Sequence, residues 1–331
     1  MMKYDPDFWV ELTHSYIPTM RARLDLLAKH RSQIFFHNPS AELACRELME
    51  MVLSFLTLRY PAHFSLSPDH TTFHNRLLAT TTDLATTHPL TALFLNVPED
   101  YAVMLRHEAT GEYHLRAGAA CSSVGWNIGL HRDRPLRAIH THVPDYAAKM
   151  ERSMDRYFAR LPTDAPIMRC SWSLEDHEVM FSSPDLGSPA DGGGIGQHTQ
   201  GEWRRSAFDG RPERMTVDEV LLRCDAQTLR RLPVSGAVVF NFRAIFTPLR
   251  ELRRERYVPA LLCKVLEEGR DDLIEYKCID RVRELAIGAL REWREEQVRE
   301  GLVEEGWDVS TLAESPFFPG WEDKWRGGQG R

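Results

Sequence analysis

An α+β fold is predicted for this chain of 331 residues. Three observations predict it. Apolar residues recur at helical spacing after Asn38, strand-like segments fill the middle of the chain, and two helical stretches, the second heavily charged, follow them. At this length one large domain or two ordinary ones can bury a proper core. The reading adopted is a single domain over residues 1–300, with an N-terminal helical portion, and a C-terminal tail over 301–331.

The elements follow in order. Asn38 can cap a helix whose first turn begins at Pro39, where a missing N–H costs nothing. Ala44, Leu48, Met51, Val52 and Phe55 then form the core-facing stripe, and the helix ends near Arg59 and Tyr60, before Pro61. Residues 62–92, rich in Thr, His and Ser, read as a long connection with short pieces of structure. Tyr101 to Arg106 and Glu112 to Ala117 flank a turn-prone Glu-Ala-Thr-Gly and predict a hairpin. A small-residue stretch leads to Trp126, and a segment from Pro135 leads to a helix beginning near Pro144. On that helix Tyr146, Met150, Met154, Tyr157, Phe158 and Leu161 form an apolar stripe that core packing explains fully.

Ile167 to Ser173 alternates as a strand, and Ser182 to Gly210 reads as a mobile surface loop. Its Gly192-Gly-Gly-Ile-Gly196 lacks the flanking strand and helix and the Lys-Ser/Thr of a phosphate loop, so no nucleotide site is read there. Residues 221–246 read as one core strand carrying Arg223, Arg230, Arg231 and Arg243 in and beside an apolar run. Guanidinium groups are rarely buried without a partner. Either an anion is held against the sheet or an internal carboxylate network satisfies them. Helical stretches at about 248–268 and 279–300 follow, then a tail with Trp307, Trp321 and Trp325.

Composition removes several function classes. A net charge of −7 argues against a general nucleic-acid binder. The six cysteines are widely spread with no CxxC pair, which is neither a disulfide framework nor a zinc site and fits a reducing compartment. No apolar h-region opens the chain and no run approaches membrane-spanning length, so a soluble, cytoplasmic protein is expected. There is no HExxH, no paired His/Cys spacing and no Gly-x-Ser-x-Gly elbow around Ser122 and Ser123.

What remains is a histidine and a set of arginines. His140 and His142 follow the apolar Ala138-Ile139, and one imidazole there could ligate a metal or haem iron. A hydrogen-bonded histidine at a strand-to-helix junction is the blander account. Arg169, Arg230, Arg231 and Arg243 are candidates for propionates or a substrate carboxylate, since a guanidinium fork binds a carboxylate bidentately. Structural ion pairing would also account for them. Trp126 and Trp172 could wall an aromatic pocket or simply pack, and Cys121 reads as an inert buried thiol.

At these residues the chain resembles the haem-dependent oxidative N-demethylase alpha-subunit-like family. The resemblance is carried by Trp126, Ile139-His140-x-His-Val-Pro144 before a Tyr-bearing helix, and Arg169-x-Ser-Trp172-Ser. It continues in Leu222-Arg-x-Asp-x-Gln227-Thr-Leu-Arg-Arg-Leu-Pro-x-Ser-Gly236 and Glu275-Tyr276-Lys277, and runs in order from about residue 8 to residue 290. Cys121-Ser-Ser-Val-Gly-Trp126-Asn and Arg46-Glu-Leu-Met-Glu50 look closer to fungal members. Departures are Ala226, where a larger side chain is expected, Ser171 in place of Asn, and His131-Arg-Asp-Arg134 in place of a Lys- and Gly-containing turn.

The resemblance implies a PAS-like antiparallel sheet holding haem b, with surrounding helices. It implies O2 activation and oxidation of a C–H bond alpha to nitrogen on a small-molecule amine or specialised metabolite, with electrons from a separate flavin and iron–sulfur reductase. His140 becomes the proximal ligand, and Trp126, Arg169, Trp172, Arg230 and Arg231 become cofactor-binding residues. Arg231, Arg243, Glu275 and Tyr276 become candidates for substrate orientation or proton delivery. The competing expectations are a PAS-like sensor of haem or a small ligand, and a non-catalytic binding protein.

Overall fold

The computed structural model describes residues 2–122, 127–178, 180–181, 215–277 and 279–307. The mixed α+β character predicted from sequence is present, with one large antiparallel sheet and helices around it. The chain divides into two compact units, Met1–Cys170 with Ala226–Arg243, and Ser171–Asp225 with Ala244–Arg331.

The first unit opens with β1 (Met2–Lys3), α1 (Tyr16–Ile34) and β2 (Phe35–His37). Asn38 accepts from the Ser40 N–H, as its capping role requires, and α2 (Glu42–Arg59) follows. Residues 62–92 are more ordered than a connection. β3 (Phe64–Leu66), β4 (Thr72–Asn75) and β5 (Thr80–Asp83) form a separate three-stranded sheet, and α3 (Pro89–Asn96) follows.

The predicted hairpin is β6 (Asp100–Arg106) with β7 (Tyr113–Ala119), antiparallel, with a register shift between Val103 and Met104. Then come α4 (Leu136–Ile139), a π-helical turn (Tyr146–Met150) and α5 (Glu151–Arg160). The helix expected from Pro144 therefore begins with a wide turn at Tyr146.

The arginine-rich segment is two strands rather than one. β9 (Leu221–Arg231) and β10 (Val238–Pro248) are joined by a turn in which Gly236 adopts φ +68, the left-handed region that favours glycine. With β8 (Ile167–Glu175) they complete a seven-stranded sheet of order β1-β8-β9-β10-β6-β7-β2. The unit boundaries fall inside β8, β9 and β10. On one sheet face of the first unit, Leu229, Val238 and Phe242 pack with Leu136, Phe158 and Leu161 to make the core.

In the second unit, α6 (Val258–Glu268), α7 (Asp271–Tyr276) and α8 (Asp280–Arg299) follow a 3₁₀ stretch (Leu249–Arg254). Val282, Ala286, Leu290 and Trp293 of α8 pack with Leu262, Cys263 and Leu266 of α6. The charges that mark α8 as a surface helix lie on its other side, in pairs such as Arg253–Glu296 at 2.6 Å. The loop expected at Ser182–Gly210, Trp126 and the tail beyond Trp307 lie outside the described residues. No helix among the described residues is long and apolar enough to cross a membrane.

Candidate functional site

His140 sits at the C-terminal end of α4, so its setting is a helix end followed by a π-helical turn rather than a strand-to-helix junction. Its Nδ1 lies 2.9 Å from the Leu136 carbonyl. A carbonyl can only accept, so the proton is on Nδ1 and Nε2 carries the lone pair. Burial lowers the pKa of His140 and Arg169 lowers it further, against the opposing effect of the carbonyl bond. The ring stacks on Tyr146 at 5.0 Å between centroids and 11° between planes.

Tyr146 opens the π-helical turn, directly after Asp145 at φ 60. Such turns recur at functional sites because they re-aim side chains. The Tyr146 hydroxyl is buried with no hydrogen-bond partner among the described residues. Burial, then Asp155 and Glu151, push its pKa up to about 12, which keeps it a neutral donor. Nearby, burial and the charges of Arg134, His140 and His142 push the pKa of His131 down to about 4. His142 itself is exposed.

Facing this segment is one side of the sheet. Strand alternation puts Gln227, Leu229 and Arg231 on the core face of β9, and Thr228 and Arg230 on the other. Arg169 of β8 is exposed, and its Nε donates to Gln227 Oε1 at 2.6 Å. Ile139, Met154, Tyr157, Ile167 and Phe240 pack against the core cluster while staying partly open to solvent. The result is an apolar wall with an imidazole at one border and a guanidinium at another.

Arg231 shares that face, but its donors are committed. Nε donates to Leu161 O at 2.6 Å, Nη1 to Gly236 O at 2.8 Å, and Nη2 to the Tyr113 hydroxyl at 2.9 Å and to Phe158 O. Arg230 and Arg243 lie on the opposite face, away from His140. Arg230 is held between the rings of Trp9 (4.2 Å) and Tyr4 (5.0 Å). Arg243 donates to Glu11 O at 2.9 Å and to Thr13 Oγ1 at 2.8 Å, with Glu99 Oε1 at 3.8 Å.

Sequence reasoning did not single out the buried carboxylates. Asp100 is fully buried and accepts from Arg23 Nη1 at 2.5 Å, the Cys121 N–H at 2.8 Å and the Ser122 N–H at 2.6 Å. Ser122 is thus a ligand of a structural carboxylate, and burial pushes the Cys121 thiol up to about 12, so it stays protonated. Glu47 of α2 accepts from the Val234 N–H (2.6 Å) and the Ser235 N–H (2.8 Å) of the β9–β10 turn. The available signal was the carboxylate of Arg46-Glu47-Leu-Met-Glu50 inside an apolar helix.

The remaining sequence candidates belong to the second unit. Trp172 is half-buried, with Lys277 Nζ 5.7 Å from its ring and donating to its carbonyl. Glu275 is exposed and Tyr276 half-buried, both on α7. Arg223 is buried and pairs with Asp225 at 3.0 Å, the internal carboxylate solution for that arginine. A pocket of about 320 Å³ in this unit is lined by Asp176, His177, Glu178, Asp218 and Glu219, a carboxylate-rich set.

No group of three or more His, Cys, Asp or Glu suited to a metal ion occurs among the described residues. Haem needs less: one axial nitrogen, an apolar wall for the macrocycle and a cation for a propionate. His140, the open apolar wall and Arg169 fit that requirement.

Fold and site together define an α+β protein with a single-histidine site suited to haem. The description of the family whose model matches residues 1–287 is haem-dependent oxidative N-demethylase, alpha subunit-like, and this chain belongs to that family. The family is named for haem dependence and for oxidative N-demethylation.

Proposed function

We propose that this protein is a haem b-dependent monooxygenase that oxidises a C–H bond alpha to nitrogen on an amine or specialised metabolite. The observation that carries the reading is His140, whose Nδ1–H donates to the Leu136 carbonyl so that the Nε2 lone pair is left to ligate, with an apolar wall beside the residue. Family membership supports it independently.

In this reading His140 would hold the haem iron through Nε2, and haem, when bound, would supply O2 activation. Overall, an N-methyl amine, one O2, two electrons and two protons become the demethylated amine, formaldehyde and water. The methyl carbon is oxidised and takes one oxygen atom, and the other oxygen atom leaves as water. When the C–N bond breaks, its electron pair stays on nitrogen, which picks up the proton of the new hydroxyl. Arg169, fixed by Gln227, pairs with a propionate or a substrate carboxylate. The Tyr146 hydroxyl, neutral and unpartnered among the described residues, donates a hydrogen bond into the site. Arg231 and Arg243 hold backbone and loops in place, since their donors are committed to the protein. The two electrons come from a separate flavin and iron–sulfur reductase.

The test is the absorption spectrum, with pyridine haemochrome, of protein expressed with haem precursor beside His140→Ala. The expected result is a stoichiometric Soret band that the variant loses or shifts, its circular dichroism unchanged. A folded variant with the same stoichiometry and spectrum would remove His140 from the iron. A haem-bound wild type that forms no formaldehyde from any N-methyl amine with a reductase would favour a sensor.

A further inference from the structure

We propose that the outward face of α5 is the docking surface for the electron-donating protein, and that the partner presents an acidic patch to it. This rests on the haem-oxygenase reading above, because that reaction consumes two electrons per turnover. The inference comes from where charge is left unbalanced.

Arg152, Arg156 and Arg160 recur at i, i+4 and i+8 and so form one ridge along α5. All three are exposed, as are Ser153 and Ala159 between them. None has a carboxylate within ion-pair distance among the described residues, whereas Arg137, Arg253, Arg254 and Arg291 are each paired with a glutamate. Glu151 and Asp155 of the same helix act on Tyr146 and Arg137, and among the described residues neither is paired with an arginine of the ridge.

Like charges four residues apart destabilise a helix. On a chain of net charge −7 such a ridge is a local exception. It suits carboxylates, which a guanidinium fork binds bidentately. A three-arginine patch on an acidic protein is a poor match for a polyanion such as nucleic acid.

Position selects the kind of partner. The opposite side of α5 carries Met154, Tyr157 and Phe158, which belong to the wall beside His140. One helix, about 10 Å across, therefore separates the ridge from the candidate haem site. The π-helical turn that carries Tyr146 onto His140 runs directly into α5. An acidic redox protein on the ridge would be held at the thickness of one helix from its electron acceptor.

The probe is an acidic plant-type [2Fe–2S] ferredoxin with its NADPH-dependent reductase. Binding to the full chain is measured by calorimetry, and haem reduction by stopped flow, each at low and high salt. Binding should weaken with salt, and Arg152→Gln/Arg156→Gln/Arg160→Gln should cut both affinity and reduction rate by roughly tenfold with a flattened salt dependence. The corresponding triple Lys variant should recover most of both, and reduction by dithionite should be unchanged throughout. Wild-type binding that is absent at low salt, or indifferent to the three substitutions, would overturn the proposal. So would stronger association with anionic phosphatidylserine vesicles than with the ferredoxin. Because binding is read without haem, a colourless protein that still binds through the ridge would sink the oxygenase reading and leave the acidic-partner surface standing.

Discussion

His140 keeps its Nε2 lone pair available because burial, helped by Arg169, favours the neutral imidazole and outweighs the Leu136 carbonyl, whose hydrogen bond places the remaining proton on Nδ1. If Arg169 holds a propionate as proposed, Arg169→Ala removes a charge-assisted contact worth about 1.5–3 kcal/mol, and haem affinity should fall roughly 10- to 100-fold in a hemin titration. Behind the site the stakes are structural. Asp100→Ala would leave the Arg23 guanidinium fully buried without its carboxylate, and urea unfolding should show a loss of about 3–5 kcal/mol. Glu99 makes a pH prediction. Burial, opposed by Arg243, raises its pKa from 4.5 to about 7, so between those values the folded chain holds a proton that the unfolded chain has lost. Stability from this group is full below pH 4.5 and is lost as pH rises through 7. Glu99→Gln should flatten that part of the stability profile, and an unchanged slope would show that Glu99 ionises freely.

At the scale of elements, the β9–β10 turn shows how a structural device can look like a ligand site. The Gln227-Thr-Leu-Arg-Arg-Leu-Pro-x-Ser-Gly236 block is part of what carries the family resemblance, yet Arg231 and Glu47 in the fold satisfy that turn's backbone. Glu47→Ala removes the carboxylate that accepts from two part-buried turn N–H groups and should cost about 1–3 kcal/mol in a thermal or urea melt. The helix after Asn38 was legible because one face of it is apolar at helical period, and the β6–β7 hairpin because two strand-like runs flank a turn-prone Glu-Ala-Thr-Gly. α1 was not, since its buried face includes Arg23, which interrupts the hydrophobic rhythm. α3 was hidden for the opposite reason: Leu90, Ala92, Leu93 and Phe94 are all buried, so its eight residues show no polar face. The break between β9 and β10 was written in Leu232-Pro-Val-Ser-Gly236, a turn signal outweighed by the apolar run beyond it. His140 was legible as a candidate, while the π-helical turn that gives it a stacking partner has no sequence signature.

For the molecule as a whole, haem that binds only the folded state must stabilise it. At free haem about 100 times the dissociation constant the gain is about 2.7 kcal/mol. The thermal midpoint should therefore rise by roughly 3 °C or more on hemin addition for the wild type and much less for His140→Ala. One further consequence follows from how the first unit is assembled. It takes residues up to Cys170 and then needs Ala226–Arg243, which supply the strand beside β6. During synthesis the N-terminal half must wait for that strand to emerge, about 4–15 s at ordinary elongation speeds. Throughout that interval β6 has an unpaired edge and its apolar residues lack their cover, a state that invites chaperone binding or aggregation. A fragment ending at Cys170 should accordingly accumulate in inclusion bodies, whereas the full chain, slowed at low temperature, should express in soluble form.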